Sequence, residues 1–197
     1  MFEPALPAVG PSPERRVILW GVPWSTYVML RDTVGGATRM TYLDGQLEIM
    51  SPSATHETTK TMVARLLELF CLERDIPLYG YGSTTFRSEA AKRGLEPDEC
   101  YTRGVPSDTP SLAIEVIVSS GLLDKLEVYR GLAIGEIWLV EEGLITVQVL
   151  RDGRYVRAST STIFPELDLA RLVAYATASD QHRAVLDYRA ELRRSAH

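Results

Sequence analysis

The chain has little cysteine, little excess positive charge and no long apolar run, and each shortage closes off a class of protein. Its two cysteines, Cys71 and Cys100, form no C-x-x-C pair and no metal-ligand spacing. A disulfide scaffold and a zinc module are thereby excluded, and two reduced thiols are expected. Lysine and arginine number 21 against 26 aspartates and glutamates, a net charge of −5. A protein that coats nucleic acid through a basic surface carries the opposite balance. An enzyme whose acidic site takes up a divalent metal before meeting phosphate is still compatible with it. No window reaches the roughly 18 consecutive apolar residues of a membrane span. The first residues lack a basic leader followed by an apolar core, so a cytoplasmic protein with no membrane partner is expected.

What is abundant at the start is proline, four within the first 13 residues. Residues 1–16 therefore read as a flexible Pro-rich arm ahead of one domain, 17–197. The composition, 45% apolar and 24% charged, suits a globular protein with a sizeable core.

Periodicity along that domain predicts a mixed order of helices and strands. Residues 23–33 read as a short helix broken by Gly35-Gly36. Residues 38–50 read as a hairpin around Asp44-Gly45, a type I′ turn signal. A helix over 56–74 repeats apolar groups at Met62, Val63, Leu66, Leu67 and Phe70. Strands are expected at 77–88, 95–102 and 111–120. A helix over 120–135 follows, with a serine near its start. Strands at 136–142, 144–150 and 154–159 come next, and helices run from Phe164 onward. The fold class is α/β in the α+β sense, ordered hairpin-α-βββ-α-β, and one mixed sheet flanked by helices is the economical packing.

Within "SLAIEVIVSS" (111–120) a carboxylate, Glu115, interrupts a strand that reads as buried on both faces. An ionised carboxylate in a dry interior costs many kcal/mol unless a cation, a metal or strong donors compensate it. Alternation puts Ala113, Glu115 and Ile117 on one face and Leu112, Ile114 and Val116 on the other. Asp98, behind Pro97, enters the preceding strand, and adjacent strands bring two such carboxylates side by side. Both stay ionised only if they share a cation, and Mg²⁺ or Mn²⁺ with oxygen ligands would serve. On the next helix Lys125 shares the inward stripe of Leu122, Leu126, Tyr129 and Leu132, so it reaches the same place. Two readings stay open. One is metal-assisted phosphodiester hydrolysis, with lysine stabilising the phosphorane charge. The other is a buried ion-pair network of Asp98, Glu115 and Lys125 that specifies the fold. His56, on the inward stripe of its helix, is either a site residue or a packing residue. Glu48 reads as solvated on its hairpin strand. Tyr129 either orients Lys125 or belongs to the core.

Four stretches, "YLDGQLEIMSPSATHE", "GSTTFRSEAAKRGLEPDECY", "LAIEV" and "LDKLEVYRGLAIGEIWLV", together resemble the Uma-type restriction endonuclease family, which is similar to the PD-(D/E)XK nuclease superfamily. The resemblance runs from about Thr41 to Leu150 and implies a restriction-endonuclease-like core. It implies Pro97-Asp98 as the "PD", Glu115 as the "(D/E)", and Lys125 as a lysine moved from the strand onto the following helix. It also gives His56 a place after "MSP". Asp98 and Glu115 would then be metal ligands for Mg²⁺, with Mn²⁺ able to substitute. Asp98, Glu115, Lys125 and His56 would form the catalytic set, DNA would be the substrate, and a homodimer would be one expected assembly. Two departures stand out: Ile117 occupies the superfamily's strand-lysine position, and Val118-Ser119-Ser120 replaces the family's usual Ser-Pro-Ser turn. A catalytically silent module of the same fold, binding nucleic acid or a partner protein, is the alternative. For a phosphoesterase acting outside nucleic acid, no residue speaks.

Overall fold

A computed structural model of the chain describes residues 13–34, 38–119, 121 and 123–195. Residues 1–12 of the expected arm, the Gly35-Gly36 break, the serine expected near the start of the later helix (Ser120) and Leu122 of its inward stripe lie outside the described residues.

The first described strand, β1 (Arg15–Leu19), begins inside the range read as arm. Helix α1 (Trp24–Thr33) follows, then the hairpin β2 (Arg39–Leu43) and β3 (Gln46–Ser51). Its turn residues Asp44 and Gly45 both take positive φ, 45° and 87°, as a type I′ turn requires. Ser53 caps α2 (Ala54–Glu73), its hydroxyl accepting the His56 backbone N–H at 3.1 Å. The apolar period expected for this helix is its buried face: Met62, Val63, Leu66, Leu67 and Phe70 are all buried.

Four short strands follow, β4 (Leu78–Gly80), β5 (Phe86–Ser88), β6 (Arg93–Leu95) and β7 (Glu99–Arg103), the middle two in one sheet and the outer two in another. β8 (Leu112–Ile117) leads to α3 (Lys125–Gly131), capped by the Asp124 side chain on the Glu127 N–H. β9 (Glu136–Glu141), β10 (Leu144–Arg151) and β11 (Arg154–Ala158) form a meander, and α4 (Leu169–Ala176) and α5 (Gln181–Arg194) complete the described order.

Two sheets replace the single mixed sheet expected. One has the order β1-β3-β2-β6-β5 and the other β11-β10-β9-β8-β7-β4. The reason lies in the two stretches read as continuous strands. Residues 77–88 break at Tyr81-Gly82, where Gly82 takes a positive φ of 58°, so β4 and β5 join different sheets. Residues 95–102 break at Pro97, which has no N–H for a ladder, and β6 and β7 separate there. The helix expected over 120–135 is also shorter, because Asp124 caps it just before Lys125.

β8 and β9 are the parallel pair of the six-stranded sheet, and α3 is their crossover. On one face of this sheet Leu112, Ile114, Val116 and Trp138 pack with α2, α4 and α5. On the other, Ala113 and Ile137 pack with Val128 and Tyr129 of α3 and with Leu95 of β6. Glu115 points to this second face, toward the five-stranded sheet. That sheet holds its own core under α1, where the Tyr27 and Tyr42 rings stack 4.9 Å apart. Both cysteines are buried and free. Among the described residues no helix is long and apolar enough to cross a membrane.

Candidate active site

Antiparallel register sets the two carboxylates against each other. Glu99 pairs with Ile114 and Cys100 with Ala113, so one more step along the ladder opposes Asp98 to Glu115. Opposed residues of an antiparallel pair project to the same face. Asp98 Oδ2 accepts the Val116 backbone N–H at 2.7 Å, which fixes the carboxylate at the mouth of the strand pair.

Glu115 is 2% exposed and both its oxygens are engaged. Lys125 Nζ donates to Oε2 at 2.5 Å, and the Tyr129 hydroxyl donates to Oε1. Of the two readings of Tyr129, the core one holds for its ring, which is buried with Val128 and Ile137, while its hydroxyl holds Glu115 and makes no bond to Lys125 among the described residues. One helical turn separates Lys125 from Tyr129, which is why a single short helix grips the carboxylate from two sides. Burial pushes the Glu115 carboxyl up, and the neighbouring Asp98 charge adds to it against the pull of Lys125. Burial acts on Asp98 too, but His56, Lys125 and the Val116 N–H outweigh it and hold Asp98 below the ordinary carboxylate range. Burial draws Lys125 down, yet Glu115 and Asp98 together keep its ammonium above its ordinary range. The two carboxylates are driven apart in proton affinity, a pattern that accompanies divided chemical roles.

His56 is fully buried, and the cap at Ser53 fixes its position in the first turn of α2. Its Nε2 lies 2.9 Å from Asp98 Oδ1, an electrostatic approach without an aligned N–H···O bond. Its Nδ1 lies 3.2 Å from Glu14 Oε2. Burial alone lowers the imidazole, but Asp98 and Glu14 outweigh it and the net shift is upward.

All four expected residues, His56, Asp98, Glu115 and Lys125, therefore meet in one cluster. Three further members were not anticipated. Arg16 of β1 pairs with Glu48 at 2.7 Å and with Glu14 at 2.8 Å. Glu48, read as solvated, is 1% exposed. β3 lies between β1 and β2 and turns Glu48 toward the segment after β8, where a Cβ on Gly121 would sit 3.7 Å from its carboxylate. Glu14 and Arg16 were hidden because the prolines around them suggested an arm. The apolar run Val17–Trp20 just beyond was the available signal for a strand.

A cleft of about 320 Å³ opens beside this cluster, with Arg16, Glu115, Ile117, Ser119, Lys125 and Tyr129 among its walls. Asp98 and His56 are not among its walls. Among the described residues, no three His, Cys, Asp or Glu side chains form a ready metal cage. Mg²⁺ does not require one, since it is commonly held by one or two carboxylates plus waters and substrate phosphate. Asp98 and Glu115 are hard oxygen donors of that kind, and each has one oxygen that faces a cationic side chain and not a backbone N–H: Asp98 Oδ1 toward His56 and Glu115 Oε2 toward Lys125. The residues present fit such an ion.

The sequence model of one protein family, described as "Uma2: Putative restriction endonuclease", matches residues 24–178. A comparison with curated proteins returned no match.

Proposed function

The chain belongs to that Uma2 family, within the PD-(D/E)XK-like superfamily, and we propose that it is a Mg²⁺-dependent endonuclease hydrolysing DNA phosphodiester bonds, with Mn²⁺ able to substitute. The observation that carries this reading is the opposition of Asp98 and Glu115 across β7 and β8, with Lys125 Nζ 2.5 Å from Glu115 at the edge of a cleft.

Asp98 and Glu115 would hold the ion. When bound, it supplies Lewis acidity toward the phosphate and a water of lowered pKa. The protein's own groups do the rest. His56 neutralises Asp98 and keeps it ionised. The Tyr129 hydroxyl fixes Glu115 Oε1, which leaves Oε2 as the oxygen whose partner can change. Lys125, its side chain 21% exposed, swings from Glu115 to the scissile phosphate and meets the charge that develops there. Leu123, Leu126 and Leu139 line the cleft and thin the water around these charges, which strengthens them.

The test is nicking of supercoiled plasmid in Mg²⁺ against EDTA, for wild type, Asp98→Asn and Lys125→Ala. Metal-dependent nicking by wild type is expected. Lys125→Ala should lose roughly 10²–10³-fold in rate, the cost typical of one charge-stabilising donor, while still binding Mn²⁺ in calorimetry. Asp98→Asn should lose both. A Lys125→Ala variant as fast as wild type would assign the lysine to packing.

A second reading has its own observation. Both oxygens of Glu115 are already occupied within the protein, and Ile117 stands where the superfamily places its lysine. A silent module of this fold would bind DNA or a protein partner, show no nicking, and give no Mn²⁺ heat.

A further inference from the structure

The family match begins at residue 24, yet Glu14 and Arg16 of the charge cluster precede it. Arg16 lies on β1 and Glu14 immediately before it, and among the described residues β1 pairs with its sheet only through β3. Arg16 spends its guanidinium on three places at once. It contacts Glu48 on β3 at 2.7 Å, Glu14 at 2.8 Å, and Ser119 through both the hydroxyl and the carbonyl oxygen at 3.3 Å. Ser119 lies two residues past β8, on the path from Glu115 to Lys125. Arg16 therefore ties the five-stranded sheet to the segment that leads into the lysine-bearing helix. Glu14 makes a second tie, accepting the Ser119 hydroxyl at 2.5 Å and meeting His56 Nδ1 at 3.2 Å. The imidazole is thereby clamped between Glu14 and Asp98. The Glu14 and Arg16 side chains are only 3% and 11% exposed. Buried ion pairs of this kind seldom add stability over apolar residues of equal volume, whereas groups that support reacting residues repay their burial in geometry.

We propose that Glu14 and Arg16 are positioning residues of the site. In this assignment β1 is a strap: Glu14 sets the orientation of His56 against Asp98, and Arg16 sets the Ser119 segment and so the approach of Lys125. The inference rests on the nuclease reading for its effect on rate, but the clamp on His56 is measurable without any reaction.

Three histidines in the chain, His56, His182 and His197, make ring-nitrogen NMR practical on the full-length protein at one fixed pH. In Glu14→Gln, close to isosteric, the His56 ring-nitrogen signals should move while those of His182 stay, with melting within a few degrees of wild type. Plasmid nicking by Glu14→Gln and by Arg16→Ala should fall up to about 10²-fold, the scale of a small misplacement of reacting groups. The loss should appear in kcat with KM little changed, and Arg16→Lys should restore part of it. Unmoved His56 signals in Glu14→Gln overturn the clamp, whether or not the wild type cuts DNA. Full nicking rates in both variants, in a wild type that does cut, overturn the strap while leaving the nuclease reading intact. A melting collapse of Glu14→Gln and of Arg16→Lys would make the pair a folding element and overturn the proposal as well.

Discussion

Glu115 on β8 and Glu136 on β9 are buried to nearly the same degree, 2% and 1% exposed, in neighbouring strands of one sheet. Their surroundings differ in kind. Glu136 accepts from four neutral donors: Trp138 Nε1 at 2.7 Å, the Ser161 hydroxyl at 2.5 Å, the Thr162 N–H at 2.7 Å and the Thr162 hydroxyl at 2.6 Å. Among the described residues no ion pair reaches it. Those donors belong to the fold itself, and they stitch the start of β9 to the 161–164 segment beneath Phe164. Glu115 has one neutral donor, Tyr129, one cation at the cleft wall, Lys125, and a second carboxylate, Asp98, across the ladder. A carboxylate closed by rigid dipoles stabilises a structure; one balanced by a charge that can depart toward a cleft is suited to a reaction. Burial alone does not distinguish the two, and the identity of the partners does.

The largest expected effect separates them by stability. Glu136→Gln should cost roughly 3 kcal/mol, because it turns an amide N–H₂ toward donors that then lack an acceptor inside the protein. That corresponds to a drop of about 6–12 °C in melting temperature for a chain of this size. Glu115→Gln, measured in EDTA, should cost no more than about 1 kcal/mol, since Lys125 can turn to the cleft and Asp98 loses a like-charged neighbour. Equal losses would break the comparison and make Glu115 a second structural carboxylate. Next in size is the response to metal. At Mg²⁺ concentrations near 100 times its Kd, wild type and Glu136→Gln should each gain about 2.7 kcal/mol, and Glu115→Gln should gain none. A Mg²⁺ shift retained in Glu115→Gln would remove that residue from the ligand set.

The smallest effect concerns a third glutamate, near the surface. Glu73 of α2 holds Arg189 and Arg193 of α5 at 2.7 and 2.8 Å, and those arginines hold its carboxyl down to about 2. A depressed carboxyl contributes above its ordinary value of 4.5 and loses that contribution as pH falls toward its folded value. The protection of α5 amides, measured relative to the free-peptide exchange rate at the same pH, should therefore fall between about pH 4.5 and pH 2 in wild type. Glu73→Gln should lack this added acid sensitivity, and an equal loss of protection in both would remove the ion pair from α5 docking.

The sequence was legible where periodicity and local chemistry agree. The hairpin at Asp44-Gly45, α2 and the β9–β11 meander fall within a residue or two of their expected bounds. The inward stripe of Lys125 and Tyr129, and the opposition of Asp98 to Glu115, follow from alternation and helical spacing alone. Sheet membership was not legible, because a strand of three residues carries too little pattern to say which neighbour it joins. Gly82 and Pro97 mark the breaks but not the destinations. The burial of Glu48 was hidden for a related reason: the residues that meet it, Arg16 and Gly121, are remote in sequence. Glu136 looked like an ordinary first residue of a strand, since its four donors come from Trp138 and from a loop 25 residues away.

The Arg16–Ser119 contact joins positions 103 residues apart. During synthesis at roughly 5–20 residues per second, about 5–20 s separate the two ends of that contact. β1 can pair with β3 as soon as the hairpin is made, well before β8 exists. Through that interval Arg16 and Glu48 are a pair waiting for a partner, and His56 has neither Asp98 nor the Ser119–Glu14 link to fix it. The cluster is thus completed only when the second sheet closes against the first, so a nascent chain carries the parts of the site without its geometry until the lysine-bearing helix is in place.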